Sequence, residues 1–233
     1  MITVAIHQPE FWPWLGLVEK ARRADVFVLL DDVQFNRASL QHRAKIASPR
    51  KPFEYLTIPF VHRHPQLIKD VHMSDMDWPA RHLTLIEAAY RDAPAFDLVM
   101  PRLREFYATV PAAHGVGFVA ASSMSMLFSA FTGEDLAMDR GLCWSSSLGA
   151  EGMRGERVLS ICKKLGATKY LSGRSGATYL DREMFADAGI EIEVQTFSMP
   201  KRRDSGVEVD GLSALDAWMH LGDGARGVLS CAS

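Results

Sequence analysis

The sequence has little cysteine and no long apolar run. Its three cysteines, Cys143, Cys162 and Cys231, include no close pair of the kind that binds zinc. An odd number of cysteines does not indicate a disulfide framework, so we expect reduced thiols. No apolar run reaches the roughly 18 residues of a membrane span, and the N-terminal residues lack a basic leader and a secretory core. We therefore expect a cytoplasmic protein without a membrane span.

The sequence also lacks an excess of charge of one sign. Lysine and arginine number 26 and aspartate and glutamate number 28, which leaves a formal net charge of −2. We therefore expect no general nucleic-acid binding, although a local basic patch stays open. Internal repeats, low-complexity tracts and long Gly/Ser linkers are missing too, so nothing in the composition divides the chain. With 233 residues, 48% of them hydrophobic, we expect a single α/β domain over residues 1–233.

The N-terminal stretch IHQPEFWPWLG predicts a turn between a strand and a helix. Residues 1–6 form a β-rich apolar run, and Pro9 and Pro13 prevent both a strand ladder and a helix between them. Apolar residues recur at helical spacing over 14–24, with Glu19 and Lys20 assigned to the polar face. A second apolar run at 26–30 predicts the next strand. The first 32 residues thus predict a βαβ unit.

The rest of the chain predicts helices first and then alternation of helix and strand. A strand is expected within 53–61, and helices are expected at 81–93, 98–110 and 116–131. Beyond them the pattern predicts a helix at 155–167, a strand at 168–173, a helix at 181–189, a strand at 190–197 and a last helix at 211–222. The expected fold class is α/β: a mostly parallel sheet with flanking helices and a helical insertion at about residues 77–131.

Polar side chains follow the first two predicted strands. In parallel sheets ligands bind beyond the carboxyl ends of the strands, where His7 and Gln8 meet Asp31 and Asp32 in this prediction. His7 is a candidate general base, and a structural histidine is an equal alternative. Two carboxylates after an apolar strand indicate pairing or a bound cation, or only the start of a loop. Trp14 is a candidate wall of the crevice, stacked on a sugar or packed against the insertion helices.

A basic stretch without acidic residues follows the two aspartates. It contains Gln34, Asn36, Arg43 and Lys45 as candidate binding residues, together with His42. Because solvated surfaces normally mix charges, such a cluster suits an anion such as phosphate. An ordinary basic surface explains it equally well.

Five more residues are weaker candidates. His82 and Tyr90 are eight residues apart on one helix face, where they would line a cleft or, more simply, pack. Cys162 is a candidate nucleophile, but its apolar neighbours favour an inert buried thiol. Ser172 and Gly173 lie between a predicted strand and helix, where small residues let amides approach an anion. A plain turn is at least as good an interpretation there.

Five stretches together resemble the WbqC-like proteins of bacterial polysaccharide clusters. They are HQPEFWPWLG, DDVQFNRASLQHRAKI, HLTLIEAAY, GERVLSICKKLGATKYLSGRSGATYLD and GLSALDAWMHLG, in this order along almost the whole chain. The resemblance implies work on a sugar nucleotide in O-antigen or related glycan biosynthesis, with glycine transfer onto an amino sugar as one suggested activity. One departure concerns His42, where family members commonly have asparagine.

The first hypothesis is an acyl or aminoacyl transferase, with glycyl transfer as one form, that acts on the amino group of a nucleotide-linked amino sugar. Arg43 and Lys45 would then hold the phosphates, Asp31 and Asp32 would orient the sugar or its amine, and His7 would be the base. The donor must be activated, as a carrier thioester or an acyl-tRNA, because the sequence shows no ATP-binding motif. The sequence identifies no cofactor and assigns no metal ligand in this hypothesis.

Two alternatives belong to other classes. A nucleotidyl- or glycosyltransferase would require a divalent metal at Asp31 and Asp32. A non-catalytic sugar-nucleotide-binding or scaffold protein would bind tightly without turnover.

Overall fold

A parallel sheet forms the centre of the computed structural model, which describes residues 1–61, 63–109, 115–198 and 211–230. The strands are, in chain order, β1 (Thr3–His7), β2 (Val26–Leu29), β3 (Arg43–Ile46), β4 (Glu54–Thr57), β5 (Phe60–Val61), β6 (His72–Met73), β7 (Cys143–Trp144), β8 (Lys169–Ser172) and β9 (Glu191–Val194). The helices are α1 (Leu15–Arg22), α2 (Trp78–Tyr90), α3 (Phe96–Thr109), α4 (Val116–Thr132), α5 (Leu136–Asp139), α6 (Gly155–Lys164), α7 (Arg174–Ala177), α8 (Arg182–Asp187) and α9 (Ala214–Leu221). Short 3-10 turns cover Ile68–Asp70 and Ser145–Ser147, and a longer one covers Gly222–Ser230.

The central sheet has five strands in the spatial order β7-β2-β1-β8-β9, and all of its neighbouring pairs are parallel. The chain therefore moves outward from β1 to β2 and β7, and then crosses back to place β8 on the other side of β1. This reversal lies between β1 and β8. The α/β fold class with a mostly parallel sheet is confirmed, including the βαβ unit formed by β1, α1 and β2.

Helices cover both faces of this sheet because its strands are apolar on both sides. Ala5 of β1 packs with α1, α4 and α9 in the larger apolar cluster. Its neighbours Val4 and Ile6 point the other way, into the cluster that α6 and α8 complete. α6 presents Val158 and Ile161 to this second face. Side chains alternate between the two sheet faces along each strand and recur about every 3.6 residues on one face of each helix, and these two periods determine which residues meet.

The helical insertion is present as α2, α3 and α4. The larger apolar cluster is continuous from the sheet through α1 into these three helices. α4 ends at Gly133, whose φ of 76° is readily adopted by glycine. None of the helices within the described ranges is both long enough and apolar enough to cross a membrane. That the whole chain is one domain stays a prediction.

The segment between β2 and the insertion differs from the sequence prediction. A single strand was expected within residues 53–61, but the structure has β4 and β5 there, each in an antiparallel pair. Pro59 separates the two strands because it has no N–H to donate. β3, which pairs with β4, alternates the half-buried Arg43 and Lys45 with the buried Ala44 and Ile46. The sequence analysis missed β3 because the stretch around it is so polar, and it missed β7 because that strand has two residues.

Candidate functional site

The point where the strand order reverses is the natural ligand crevice of an open α/β sheet. Here it lies beyond the carboxyl ends of β1 and β8, which end at His7 and Ser172. Sequence reasoning expected His7 at a sheet edge of this kind, and the structure places it there. It also predicted that β1 and β2 end side by side, which the register of His7 with Leu29 confirms.

The ring of His7 is oriented by the backbone just after its strand. Its Nδ1 lies 2.9 Å from the carbonyl oxygen of Gln8, and since a carbonyl only accepts, Nδ1 carries the hydrogen. In the neutral ring Nε2 is then an acceptor. Nε2 lies 3.9 Å from Oε1 of Glu10, with 31% of the His7 side chain and 15% of the Glu10 side chain exposed. The other oxygen of Glu10, Oε2, is buried and has no hydrogen-bond partner in the described part of the chain.

Lys20 completes the switch-point cluster, the name used below for His7, Glu10 and Lys20. It lies on α1, is 3% exposed, and donates from Nζ to the carbonyl oxygen of Ile6 at 2.8 Å. The expectation that Glu19 and Lys20 lie on a solvated helix face is wrong, because both side chains are buried. Lys20 reaches the end of β1 instead of solvent, and thereby satisfies a strand carbonyl.

Burial, and then the charges of Lys20 and Glu10, shift the pKa values in the switch-point cluster. Burial raises the pKa of Glu10 to about 7, against the opposing charge of Lys20. Burial also lowers the pKa of Lys20 to about 8, against the charge of Glu10. The pKa of His7 falls to about 4, first through burial and then through the positive charge of Lys20. Near neutral pH the imidazole is therefore uncharged, and Glu10 is close to half ionised.

Gln8 links the turn after β1 to the basic stretch. Its side-chain oxygen accepts from Nε2 of the buried Gln41 at 2.7 Å. The other end of Gln41 accepts the backbone N–H of Asn36 at 3.0 Å, and the Asn36 side chain accepts from the N–H of Ala38 at 2.9 Å. Gln34 donates to the carbonyl oxygen of Phe35 at 3.3 Å. The polar residues of this stretch thus shape a loop that is tied to the end of β1.

His42 is buried against the rings of Phe35 and Phe60, at centroid distances of 5.6 and 4.6 Å. Its Nδ1 has no hydrogen-bond partner within the described ranges. Burial lowers the pKa of His42 to about 4, with further contributions from the positive charges of Arg43 and Arg37. The ring is therefore neutral at physiological pH.

The two aspartates after β2 form the Asp31 clasp, a cluster of Asp31, Asp32, Ser145, Ser146 and Arg157. Asp31 accepts from the Ser146 N–H at 3.0 Å and from the Ser146 hydroxyl at 2.7 Å, and its own N–H donates to the Ser145 hydroxyl at 3.1 Å. The Ser145 hydroxyl also lies 2.5 Å from Oδ1 of Asp32 and 3.1 Å from Oδ1 of Asp31. Asp32 forms a salt bridge with Arg157 of α6. The clasp fastens the end of β2 to the turn after β7.

Arg43 and Lys45 lie on one face of β3, each above an aromatic ring. Arg43 lies 4.7 Å from the ring centroid of Tyr55 and donates to the carbonyl oxygen of Ala38 at 2.6 Å. Lys45 lies 4.7 Å from the ring centroid of Phe53. These contacts fix two positive charges on the half-buried face of the hairpin.

Trp14 folds back over the start of α1. A Cβ at Gly16 would lie 2.1 Å from its indole ring, so the ring occupies the space that only glycine leaves there. The edge of Phe197 meets this ring at a centroid distance of 5.6 Å. Gln195, just after β9, donates to the carbonyl oxygen of Gly16 at 2.7 Å and also hydrogen-bonds Glu19. Trp14 is half-buried at the carboxyl edge of the sheet.

His82 and Tyr90 lie in the apolar core of the insertion. Nδ1 of His82 is 3.2 Å from the hydroxyl of Tyr107, and Nε2 is 3.1 Å from the carbonyl oxygen of Thr57. Burial lowers the pKa of His82 to about 4. The Tyr90 hydroxyl accepts from the N–H of Ala47 at 3.0 Å. Both side chains are buried, as packing requires, and their substrate-binding role stays a prediction.

Cys162, Ser172 and Gly173 are placed on or beside the second sheet face. Burial raises the pKa of the Cys162 thiol to about 12, so it is protonated at neutral pH, which disfavours a nucleophile. Ser172 is buried at the end of β8, and its hydroxyl donates to the carbonyl oxygen of Gly173 at 3.1 Å. Gly173 directly precedes α7, in agreement with the predicted turn between strand and helix. Nothing lies within 4 Å of a Cβ built at Gly173.

Sequence reasoning missed four residues that the structure brings to these clusters. Glu10 stands between two prolines, where it looked like a loop residue, and Lys20 and Gln195 have no signal beyond their polarity. Arg157 belongs to the amphipathic α6 and likewise has no signal beyond its charge. Within the described residues, no three His, Cys, Asp or Glu side chains are grouped so that they could hold a metal ion.

Comparisons with known proteins agree with the resemblance of the sequence motifs. The model of the WbqC-like protein family matches residues 8–227. The uncharacterized protein Rv1507c of Mycobacterium tuberculosis is 25% identical over 194 residues, which cover 82% of this chain and 81% of that protein. No solved structure matches the chain. With a matching segment that begins one residue after His7 and extends almost to the C-terminus, the chain belongs to the WbqC-like protein family.

Proposed function

We propose that this protein is a transferase that acylates the amino group of a nucleotide-linked amino sugar, with an activated acyl or aminoacyl donor. The observation that carries the proposal is the neutral imidazole of His7 at the switch point of the sheet, with Nε2 free to accept a proton. The sugar-nucleotide substrate and the role in surface polysaccharide biosynthesis follow from the family resemblance. A glycyl group is one acyl group that suits this role.

His7 acts as the base in this proposal. An amine becomes nucleophilic only when it has lost its extra proton, and acyl transfer releases a further proton from the nitrogen. A neutral imidazole within hydrogen-bonding reach can take up such a proton. The donor is already activated as a thioester or an acyl-tRNA ester, so the reaction needs no nucleoside triphosphate.

Substrate binding is assigned to charges of the β3–β4 hairpin and to side chains of the turn after β1. Arg43 and Lys45 present two fixed positive charges to the phosphates. The half-buried indole of Trp14 offers a flat apolar surface to a sugar ring. Gln8 is held in position by Gln41, which limits its amide to one orientation.

The metal-dependent alternative has less support. Both oxygens of Asp31 accept hydrogen bonds from Ser146, and Asp32 is paired with Arg157. A guanidinium beside the carboxylates competes with a divalent cation for the same oxygens. For the same reason the two aspartates are poor candidates for orienting an amine. A non-catalytic sugar-nucleotide-binding protein remains an outcome of the experiment below.

The experiment begins with thermal-shift titration against UDP-, dTDP- and GDP-linked amino sugars, with and without magnesium. The sugar nucleotide that stabilises the protein most is then supplied with a glycyl thioester or glycyl-tRNA, and amide formation is followed by mass spectrometry. We expect His7→Ala to lower the transfer rate by about 100-fold or more. A control at the exposed His72 of β6, His72→Ala, should transfer at the wild-type rate. Full activity in a folded His7→Ala protein, or binding without transfer from any donor, would contradict the proposal.

A further inference from the structure

The switch-point cluster contains a carboxylate that the mechanism above does not use. We propose that Glu10 binds the amino group of the substrate, so that the nitrogen sits between Oε1 of Glu10 and Nε2 of His7. This inference rests on the proposed function and names the group that selects an amine over a hydroxyl. Glu10 thereby takes the role that the sequence analysis assigned to Asp31 and Asp32.

The distance between the two side chains carries the inference. Nε2 of His7 and Oε1 of Glu10 are 3.9 Å apart, which is too far for a hydrogen bond between them. One nitrogen atom can nevertheless lie about 2.8 Å from both, because two such bonds span more than this separation. A substrate amine fits that position and donates to both acceptors. Both side chains are partly exposed.

The hydrogen-bonding state of Glu10 supports the same conclusion. Its Oε2 is buried and has no partner among the described residues, although buried carboxylate oxygens are normally satisfied. Burial raises the pKa of Glu10 to about 7, and Lys20 opposes this rise through its charge. It does so without a salt bridge within the described ranges, since its Nζ donates to the carbonyl oxygen of Ile6 instead. Since the facing His7 ring is neutral, Glu10 has no described charged partner that a cationic ligand would have to displace.

The chemical step balances with these two groups. The substrate amine gives up its extra proton to solvent, which leaves a neutral amine held by Glu10 and by Nε2 of His7. The nitrogen lone pair attacks the carbonyl carbon of the thioester or ester, so that a C–N bond forms. The bond from this carbon to sulfur or oxygen breaks, and its electron pair leaves with the leaving group. As the C–N bond forms, Nε2 of His7 takes one proton from the nitrogen and passes it to the leaving group.

The test compares amino and hydroxyl forms of one sugar nucleotide. UDP-glucosamine and UDP-glucose differ only at this group, and their dTDP- and GDP-linked counterparts are compared in the same way. Affinities are measured by isothermal titration calorimetry at pH 7.5. We expect wild type to bind the amino form about tenfold more tightly for the best nucleotide, and Glu10→Gln to lose this preference. Glu10→Asp keeps the charge but shortens the reach, so it should retain part of the preference.

The matched control is Glu87→Gln, which removes an exposed carboxylate paired with Arg104 on the insertion. It should keep the wild-type preference, and circular dichroism confirms that each variant is folded. The inference is overturned if wild type shows no preference with any nucleotide, or if Glu10→Gln keeps it. If acyl transfer occurs but Glu10→Gln behaves like the control, only the inference fails. If the preference depends on Glu10 but no donor supports transfer, the amine site stands and the proposed function fails.

Discussion

The switch-point cluster and the Asp31 clasp lie at the same edge of one sheet, and they differ in how far their carboxylates are satisfied. In the clasp, the carboxylate of Asp31 accepts from Ser146 at both of its oxygens, and Asp32 meets Ser145 and Arg157. In the switch-point cluster, one carboxylate oxygen of Glu10 has no described partner. Both carboxylates of the first cluster have partners without a ligand, although Nε of Arg157 there is buried with no described partner. In the second cluster it is the carboxylate itself that lacks one.

This difference separates polar groups that stabilise a fold from polar groups that serve a ligand. A satisfied buried network favours the folded state, and removing one member leaves the others unpaired. An unsatisfied buried carboxylate costs stability in the free protein and gains partners only when a ligand binds. Two carboxylates in neighbouring turns can therefore have opposite effects on stability when they are replaced.

The largest expected effect comes from breaking the clasp. Asp31→Ala removes the acceptor of the Ser146 N–H and of two hydroxyls, so we expect the free energy of unfolding to fall by about 3 kcal/mol. Glu10→Gln should change it by less than about 1 kcal/mol, because no described hydrogen bond of Oε2 is lost. Urea denaturation of both variants measures the contrast. Equal losses of stability would show that the comparison is wrong.

A smaller effect is expected beside the switch-point cluster, at Gly16. In Gly16→Ala the new Cβ would lie 2.1 Å from the Trp14 ring, so the ring must leave its position. We expect about tenfold weaker sugar-nucleotide binding and a stability loss of about 1 to 2 kcal/mol. Gly224→Ala is the control, since nothing lies within 4 Å of its Cβ. Unchanged binding by Gly16→Ala would remove Trp14 from the proposed site.

The third prediction concerns protonation in the switch-point cluster. Lys20→Met removes the positive charge that lowers the pKa of both His7 and Glu10. Both pKa values should therefore rise: His7 from about 4 toward its usual 6.5, and Glu10 from about 7 upward. NMR titration of the His7 ring and the Glu10 carboxyl carbon measures the two shifts. The exposed Lys163→Met should leave both values unchanged, and a similar titration in the two variants would refute the assigned coupling.

The smallest effect is expected at His42, outside both clusters. The unfolded ring takes up a proton near its usual pKa of 6.5, but the folded ring does so only near 4. Its contribution to stability is therefore complete above pH 6.5 and is lost as the pH falls toward 4. His42→Asn should cost about 1 kcal/mol at pH 7 and flatten this acid loss. Urea midpoints at pH 7 and pH 5 give the slope, and an equally steep loss in the variant would exclude His42 as its source.

The sheet and most helices were predictable because their apolar residues recur with the period of a strand or of a helix, and this period can be seen in the local sequence. β1, β2, β8 and β9 and the insertion helices all follow such patterns. β3 does not show such a pattern clearly, because its outward residues Arg43 and Lys45 are charged and its inner face consists of only two residues. β7 is held by a register of two residues with β2, which no local pattern can indicate.

The candidate site was predictable only where strand ends determine it. His7 and Gln8 follow an apolar strand, so the rule for parallel sheets places them at the crevice. Glu10 lies beyond a proline in a turn, and its proximity to His7 depends on the path of that turn. Lys20 was assigned to solvent because charged helical residues are usually exposed. Its burial depends on how α1 packs beneath the end of β1, which the sequence does not encode locally.

The Asp31 clasp also determines how freely the middle of the chain can change in length. It joins residues 114 positions apart, so the segment from the basic stretch to the last insertion helix is one excursion of the chain whose two ends are held together. The entropy of closing such a ring grows only with the logarithm of its length, and doubling the excursion would cost roughly 0.6 kcal/mol. Additional turns of helix in this part of the chain would therefore leave the two ends, and the crevice beside them, in place.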